Sequence, residues 1–185
     1  MSPLRRVPLF DFDGTLVDSD TALMAPFRAL GVRPDRVPPL GLPLGDACER
    51  AGVTVAAYLE HYDASATLPF DGVPELIGQL ERWGLASNKE RTSGHRELER
   101  LGWGPEVALF SDDFGGAEKQ LEPLLDALGL KPAAVVYVGD TAHDRACAAA
   151  AGVDFALAGW NPRARATAEP GDVILDAPHE VLDLL

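Results

Sequence analysis

The stretch RRVPLFDFDGTLVDSD, residues 5–20, runs from an apolar tetrad, Val7 to Phe10, straight into Asp11, Phe12, Asp13, Gly14 and Thr15. The tetrad predicts a short buried strand. Because strand side chains alternate, Asp11 and Asp13 project to one side and Phe12 to the other. Gly14 permits a sharp turn. Taken alone, the carboxylate pair has a bland reading, an Asx-turn that closes the strand. A calcium loop is another reading. It fails because such a loop needs glycine where this chain has Leu16.

Outward from this stretch, short apolar runs alternate with helical patterns. Strands are predicted at Leu85–Ser87, Val107–Phe110, Ala134–Val138, Phe155–Ala158 and Val173–Leu175. Helices are predicted at Pro74–Trp83, Arg91–Leu101, Glu118–Leu128 and Thr141–Ala151, each closed by a glycine. Alternation of this kind implies a doubly wound parallel α/β sheet with helices on both faces. One region interrupts it. Between Val17 and Phe70 the pattern is helical, with no strand. Leu23, Phe27 and Leu30 share a face, prolines 34, 38, 39 and 43 mark a loop, and Asp46–Ala51 and Val55–Tyr62 read as short helices, the second capped by Thr54. The expected organisation is a core of residues 1–16 and 71–185 with a small α-helical cap, 17–70, inserted into it.

A second acidic site changes the weight of the first. In AAVVYVGDTAHD, residues 133–144, Asp140 follows a strand and Asp144 comes one helical turn later. Each carboxylate could be a helix cap. In parallel sheets, however, ligands gather beyond the carboxyl ends of strands, and two strands here deliver carboxylates to that edge. Such groups repel one another unless a cation joins them. All-oxygen donors select a hard cation, Mg²⁺ where phosphate is also bound. Ser87, Asn88 and Lys89 stand at another strand-to-helix turn, an anion site or an ordinary cap. Lys119 is one of three lysines and is expected to open a helix, where a cation is disfavoured unless an anion lies near.

The charge balance points the same way. Net charge is −13, spread along the chain, a surface that repels nucleic acid and anionic lipid and asks for a local cation if the ligand is an anion. No apolar run approaches the ~20 residues of a membrane helix. A strand that begins by Val7 leaves no room for a cleavable leader. Cys48 and Cys147 lack metal-ligand spacing and read as free thiols in a reducing compartment, so the expected location is the cytoplasm.

These motifs resemble those of the haloacid dehalogenase-like hydrolases, most closely the phosphoglycolate-phosphatase-like branch. FDFDGTLVDS resembles the first family motif, SNK the second, Lys119 the third and VGDTAHD the fourth. The resemblance implies a Rossmann-like core and Mg²⁺-dependent hydrolysis of a small phosphorylated metabolite through an aspartyl-phosphate. By that resemblance Asp11 is the nucleophile and Asp13 the general acid and base. Asp11, the Asp13 backbone carbonyl and Asp140 hold the cation, with Asp144 direct or through water. Ser87 and the Asn88 backbone hold phosphate oxygens, and Lys119 neutralises Asp11 and the phosphate. The third motif departs from the family's Gly-Lys-Pro: Glu118, Lys119 and Gln120 stand there, with proline delayed to Pro123.

Two rival readings keep the same residues. A phosphomutase would return the phosphoryl group to its substrate, and an idle module would bind phosphate or metal without turnover. Arg28, Arg33, Arg36 and Arg50 of the cap are candidates to meet a substrate carboxylate, with solvated surface positions as the default. His143 reads as a solvent-facing loop residue, and Trp160 is expected at the rim of the site or in packing.

Overall fold

The computed structural model describes residues 6–115 and 117–185; residues 1–5, assigned to the core by the sequence, lie outside the described residues. Strand β1 (Val7–Phe10) is followed by β2 (Val17–Asp18), α1 (Asp20–Ala29), α2 (Leu44–Ala51), α3 (Val55–His61) and β3 (Leu68–Pro69). Then come α4 (Val73–Ile77), β4 (Gly84–Ala86), α5 (Arg91–Leu101) and β5 (Val107–Leu109). The chain closes with α6 (Glu122–Leu128), β6 (Val135–Gly139), α7 (Ala142–Ala150), β7 (Asp154–Ala158), α8 (Pro162–Arg165) and β8 (Val173–Leu175).

Six strands form one parallel sheet in the order β5-β4-β1-β6-β7-β8. Side-chain alternation distributes each strand between two cores. Leu9, Val135 and Tyr137 pack with Leu121, Leu124 and Ala148 beneath α6 and α7. Phe10, Val136 and Val138 pack with Leu76, Leu98 and Phe110 beneath α4 and α5. Burying each such side chain stabilises the fold by about 1.5–3 kcal/mol. The sheet is therefore doubly wound, and chain order reverses between β1 and β6, where ligands bind in folds of this topology.

The helices between β2 and β3 form a cap region with its own small core. Phe27, Ala47, Cys48, Ala51 and Tyr58 pack together, the Phe27 and Tyr58 ring centroids 4.9 Å apart. Thr54 caps α3 as its sequence position predicts, its hydroxyl accepting from the Ala57 N–H at 3.1 Å. No helix among the described residues is long and apolar enough to cross a membrane.

Three expectations need correction. The region predicted to lack strands contains β2 and β3, which pair antiparallel and join the two ends of the insertion. Two-residue strands are too short to carry a readable alternation. Helix α4 ends at Ile77 instead of Trp83, since Gly78 follows and weakens continuation. Helix α6 begins at Glu122, not Glu118, because Pro123 suits only the first turn. Lys119 thus lies in the preceding loop, and the helix dipole does not account for its position.

Candidate active site

The β1–β6 register pairs Phe10 with Val138, and the Asp11 N–H extends the ladder by donating to the Val138 carbonyl at 2.9 Å. This pairing brings Asp11 beside Asp140, the residue that follows β6. After Asp13 the chain folds back, and the Leu16 N–H donates to the Phe12 carbonyl at 2.9 Å. Gly14 makes the fold-back possible on two counts. Its φ is +83°, and a Cβ there would strike the Asp140 carboxylate and the Arg163 guanidinium. Phe12 points into the core while Asp11 and Asp13 face a common pocket, as strand alternation requires.

Asp144 is placed by the start of α7. Its carboxylate accepts from the Thr141 N–H at 2.9 Å and the Asp140 N–H at 3.1 Å, while the Thr141 hydroxyl accepts from the Asp144 N–H at 3.1 Å. This capping box satisfies helix-end donors and also aims a carboxylate inward. Tyr137 donates its hydroxyl to the other Asp144 oxygen at 3.1 Å. Oxygens of Asp11, Asp140 and Asp144, all buried, lie within 4.8 Å of one another. The capping and ligand readings of Asp144 hold together.

Two cations approach this triad. Lys119 Nζ lies 2.6 Å from Asp11 Oδ1 and 2.5 Å from Asp144 Oδ1. Arg163 Nη2 lies 2.8 Å from Asp140 Oδ2, and the same guanidinium grips Asp20 at 2.9 and 3.1 Å. Burial, the largest influence, pushes Asp11 up to about 7; Asp144 adds to the rise and Lys119 opposes it. Burial also raises Asp140, with the charges of Asp11 and Asp144 behind it. For Asp144, burial raises the carboxyl, but Lys119 and the Thr141 hydrogen bonds prevail and hold it below the ordinary range. Three buried carboxylates, two of them raised by burial and by one another's charge even with Lys119 and Arg163 beside them, are a fitting seat for a divalent cation.

A second buried charge cluster adjoins the first. Lys89 Nζ lies 3.0 Å from Asp13 Oδ1, 2.9 Å from Glu97 Oε1 and 2.9 Å from the Tyr62 hydroxyl. Tyr62 in turn donates to Glu97 at 2.5 Å, so a residue of the cap region closes the network. Burial opposes the charge on Lys89, yet Asp13 and Glu97 outweigh it and raise its pKa. Burial raises Glu97 despite Lys89.

A model of the haloacid dehalogenase-like hydrolase family matches residues 8–158. The chain belongs to this family. It is 30% identical to a phosphoglycolate phosphatase of Xylella fastidiosa over 94% of this chain and 90% of that protein. It is 29% identical to an N-acetylmuramic acid 6-phosphate phosphatase of Pseudomonas aeruginosa over 96% of this chain and 93% of that protein. Among solved structures, a haloacid dehalogenase-like hydrolase from Bacteroides fragilis superposes with a TM-score of 0.76 at 25% identity, covering 96% of this chain and 99% of that one. The chain thus carries the α/β core, cap region and aspartate triad of a hydrolase.

In this haloacid dehalogenase-like hydrolase the residues singled out by sequence converge. Asp11, Asp13, Ser87, Asn88 and Lys119 line one pocket beneath the cap region. The Asp13 carboxylate turns to Lys89 and stands apart from the triad. Asn88 acts as a clamp: its side-chain N–H donates to the Gly41 carbonyl at 2.8 Å, and its oxygen accepts from the Lys119 N–H at 2.7 Å. Cap arginines 28, 33, 36 and 50 are exposed and do not line the pocket. His143 is half-buried in the first turn of α7, not in a loop, with its ring against Cys147 Sγ at 3.4 Å.

Sequence reading missed three supports. Glu97, Tyr62 and Arg163 come from separate elements, and no motif links them to the aspartates. The loop after β7 braces the Asp13 turn: Trp160 Nε1 donates to the Thr15 carbonyl at 2.9 Å and Asn161 Nδ2 to the Gly14 carbonyl at 2.7 Å. An Asn-Pro pair opening a short helix directly after a strand was the available signal.

Proposed function

We propose that this hydrolase is a Mg²⁺-dependent phosphatase acting on small phosphomonoesters through an aspartyl-phosphate on Asp11. The supporting observation is the position of Asp11: at the strand-order reversal, between the triad and Lys119, and facing the pocket. Asp11, the Asp13 backbone carbonyl, Asp140 and Asp144 would hold Mg²⁺, which when bound neutralises phosphoryl oxygens and adjoining carboxylates.

The remaining chemistry falls to side chains of this chain. An Asp11 oxygen attacks phosphorus as the bond to the ester oxygen breaks, and Asp13 gives the departing alkoxide its proton. Water then attacks the acyl phosphate while Asp13 takes a proton back, releasing inorganic phosphate and restoring Asp11. Ser87 and the Asn88 backbone would hold phosphoryl oxygens, and Lys119 would offset their charge. Catalysis of this type is mostly positioning and charge neutralisation. Residues 17–70 would serve as the cap over a core of 1–16 and 71–185. Two buried, unpaired cysteines suit a cytoplasmic location.

The test is turnover of p-nitrophenyl phosphate with Mg²⁺ by wild type and Asp11→Asn, with circular dichroism to verify folding. Turnover by wild type, a trapped phosphoryl group on Asp11 and an inactive folded variant are expected. Activity persisting in Asp11→Asn would remove Asp11 from the nucleophile role.

A further inference from the structure

The pocket above Asp11 carries its charge on one of its two sides. Its cap side is largely apolar, built from Leu23, Met24 and Phe27 of α1, Leu44 of α2 and Leu59 of α3, and the hydroxyls of Tyr58 and Tyr62, which also line it, are turned to the Leu23 carbonyl and to Glu97. Its core side holds Asp11, Asp13 and Glu90 with Lys89 and Lys119, and no arginine or histidine lines it among the described residues. Both lysines are already committed. Lys119 faces Asp11 and Asp144, and Lys89 faces Asp13 and Glu97. Glu90 caps α5, its carboxylate accepting from the Thr92 and Ser93 N–H groups at 2.7 and 2.8 Å.

A divalent cation at the triad would be matched by the phosphoryl dianion, leaving nothing positive for a second anionic group. A carboxylate on the leaving group would lie against aliphatic walls or near Asp13 and Glu90. Burying a charge without a partner is unfavourable, and like charges make it worse. An uncharged body with an apolar surface would instead gain from contact with the cap leucines.

On the phosphatase reading above, we infer that this pocket selects phosphomonoesters whose alcohol is uncharged and largely apolar, and that it discriminates against carboxylated esters such as 2-phosphoglycolate. Phosphoryl position and leaving-group recognition are thereby separated: the core reads the phosphate and the cap reads the absence of charge.

The test compares kcat/KM, with Mg²⁺, for phenyl phosphate and 4-carboxyphenyl phosphate, and for propyl phosphate and 2-phosphoglycolate. Each pair shares its bond type, so the difference reports the pocket. The uncharged member should lead by at least about ten-fold in both pairs, and calorimetry on Asp11→Asn should give the same order of affinity. Leu59→Lys should shrink the ratio. Equal or better turnover of the carboxylated esters would overturn the inference and leave the phosphatase reading standing. Folded protein that hydrolyses none of the four esters would overturn both.

Discussion

Lys89 Nζ and Asp13 Oδ1 lie 3.0 Å apart, and the lysine side chain is 4% exposed. The pair ties the turn after β1 to the turn after β4. Because Tyr62 shares the same ammonium, the cap region is joined to the very carboxylate assigned to proton transfer. A flexible loop aspartate would sample many rotamers, whereas one held by a buried cation keeps its place between turnovers.

This network makes Lys89→Met a severe substitution. It leaves Glu97, 0% exposed, without its cation, and breaking one side of a buried pair costs about 3–5 kcal/mol. Lys89→Met with Glu97→Leu should recover part of that loss, since the fully buried carboxylate is then gone and only Asp13, 17% exposed, still lacks its cation. Urea unfolding of the two single variants and the double variant measures the coupling. Strictly additive losses would show that Lys89 and Glu97 do not act as a unit.

Asp13→Asn tests proton transfer separately from folding. The amide keeps the shape but supplies no acid. Alkyl esters, whose leaving groups need a proton, should slow by about 10²–10⁴, and p-nitrophenyl phosphate much less. The comparison of kcat/KM across leaving groups reads the effect. Uniform slowing would assign Asp13 to positioning.

The legible and illegible parts of this site differ in physical kind. Asp11, Asp13 and Asp140 stand out because each comes just after a strand whose apolar run is unmistakable, such as Val135–Gly139, buried throughout, and Asp144 because it lies one turn further on, at the start of α7. Lys119 stands out as one of three lysines, but it lies in the loop before α6, so a helix start does not explain its position. Glu97 stands in a helix rich in charge, where no pattern singles it out, and its burial follows from its contact with Lys89 on a distant turn. Arg163 reaches Asp140 from beyond β7, a proximity set by sheet order; the Asn161-Pro162 pair marks the start of its helix but not the carboxylate it meets. The β2–β3 ribbon escaped notice because pairing of two-residue strands is decided by the neighbouring chain.

Gly94→Ala probes how α5 is seated. A Cβ at Gly94 would run into the Phe110 ring, which is fully buried at the end of β5. Helix propensity alone favours alanine by about 1 kcal/mol. Overpacking works against it, by about 1–3 kcal/mol or more in a rigid core. The expected result is net destabilisation by urea, together with weaker activity because Glu97 sits one turn further along the same helix. A stabilised variant would mean that α5 can slide away from Phe110 without consequence.

Cation binding at the triad would carry a pH signature whose sign is fixed by the raised carboxyls. Asp11 rises from an ordinary 3.8 to about 7, chiefly through burial, and Asp140 is raised for the same reason. A carboxyl with a higher pKa in the folded chain holds more protons there than when unfolded. Its contribution to stability therefore falls as pH climbs from the unfolded value through the folded one. A divalent cation competes with those protons and relieves the repulsion left when they depart. The rise in Tm produced by Mg²⁺ over EDTA should accordingly grow as pH passes upward through about 7 and shrink towards acid. Asp140→Asn should flatten this dependence. A Mg²⁺ increment that stayed constant across the range, or declined with rising pH, would place the cation somewhere other than among Asp11, Asp140 and Asp144.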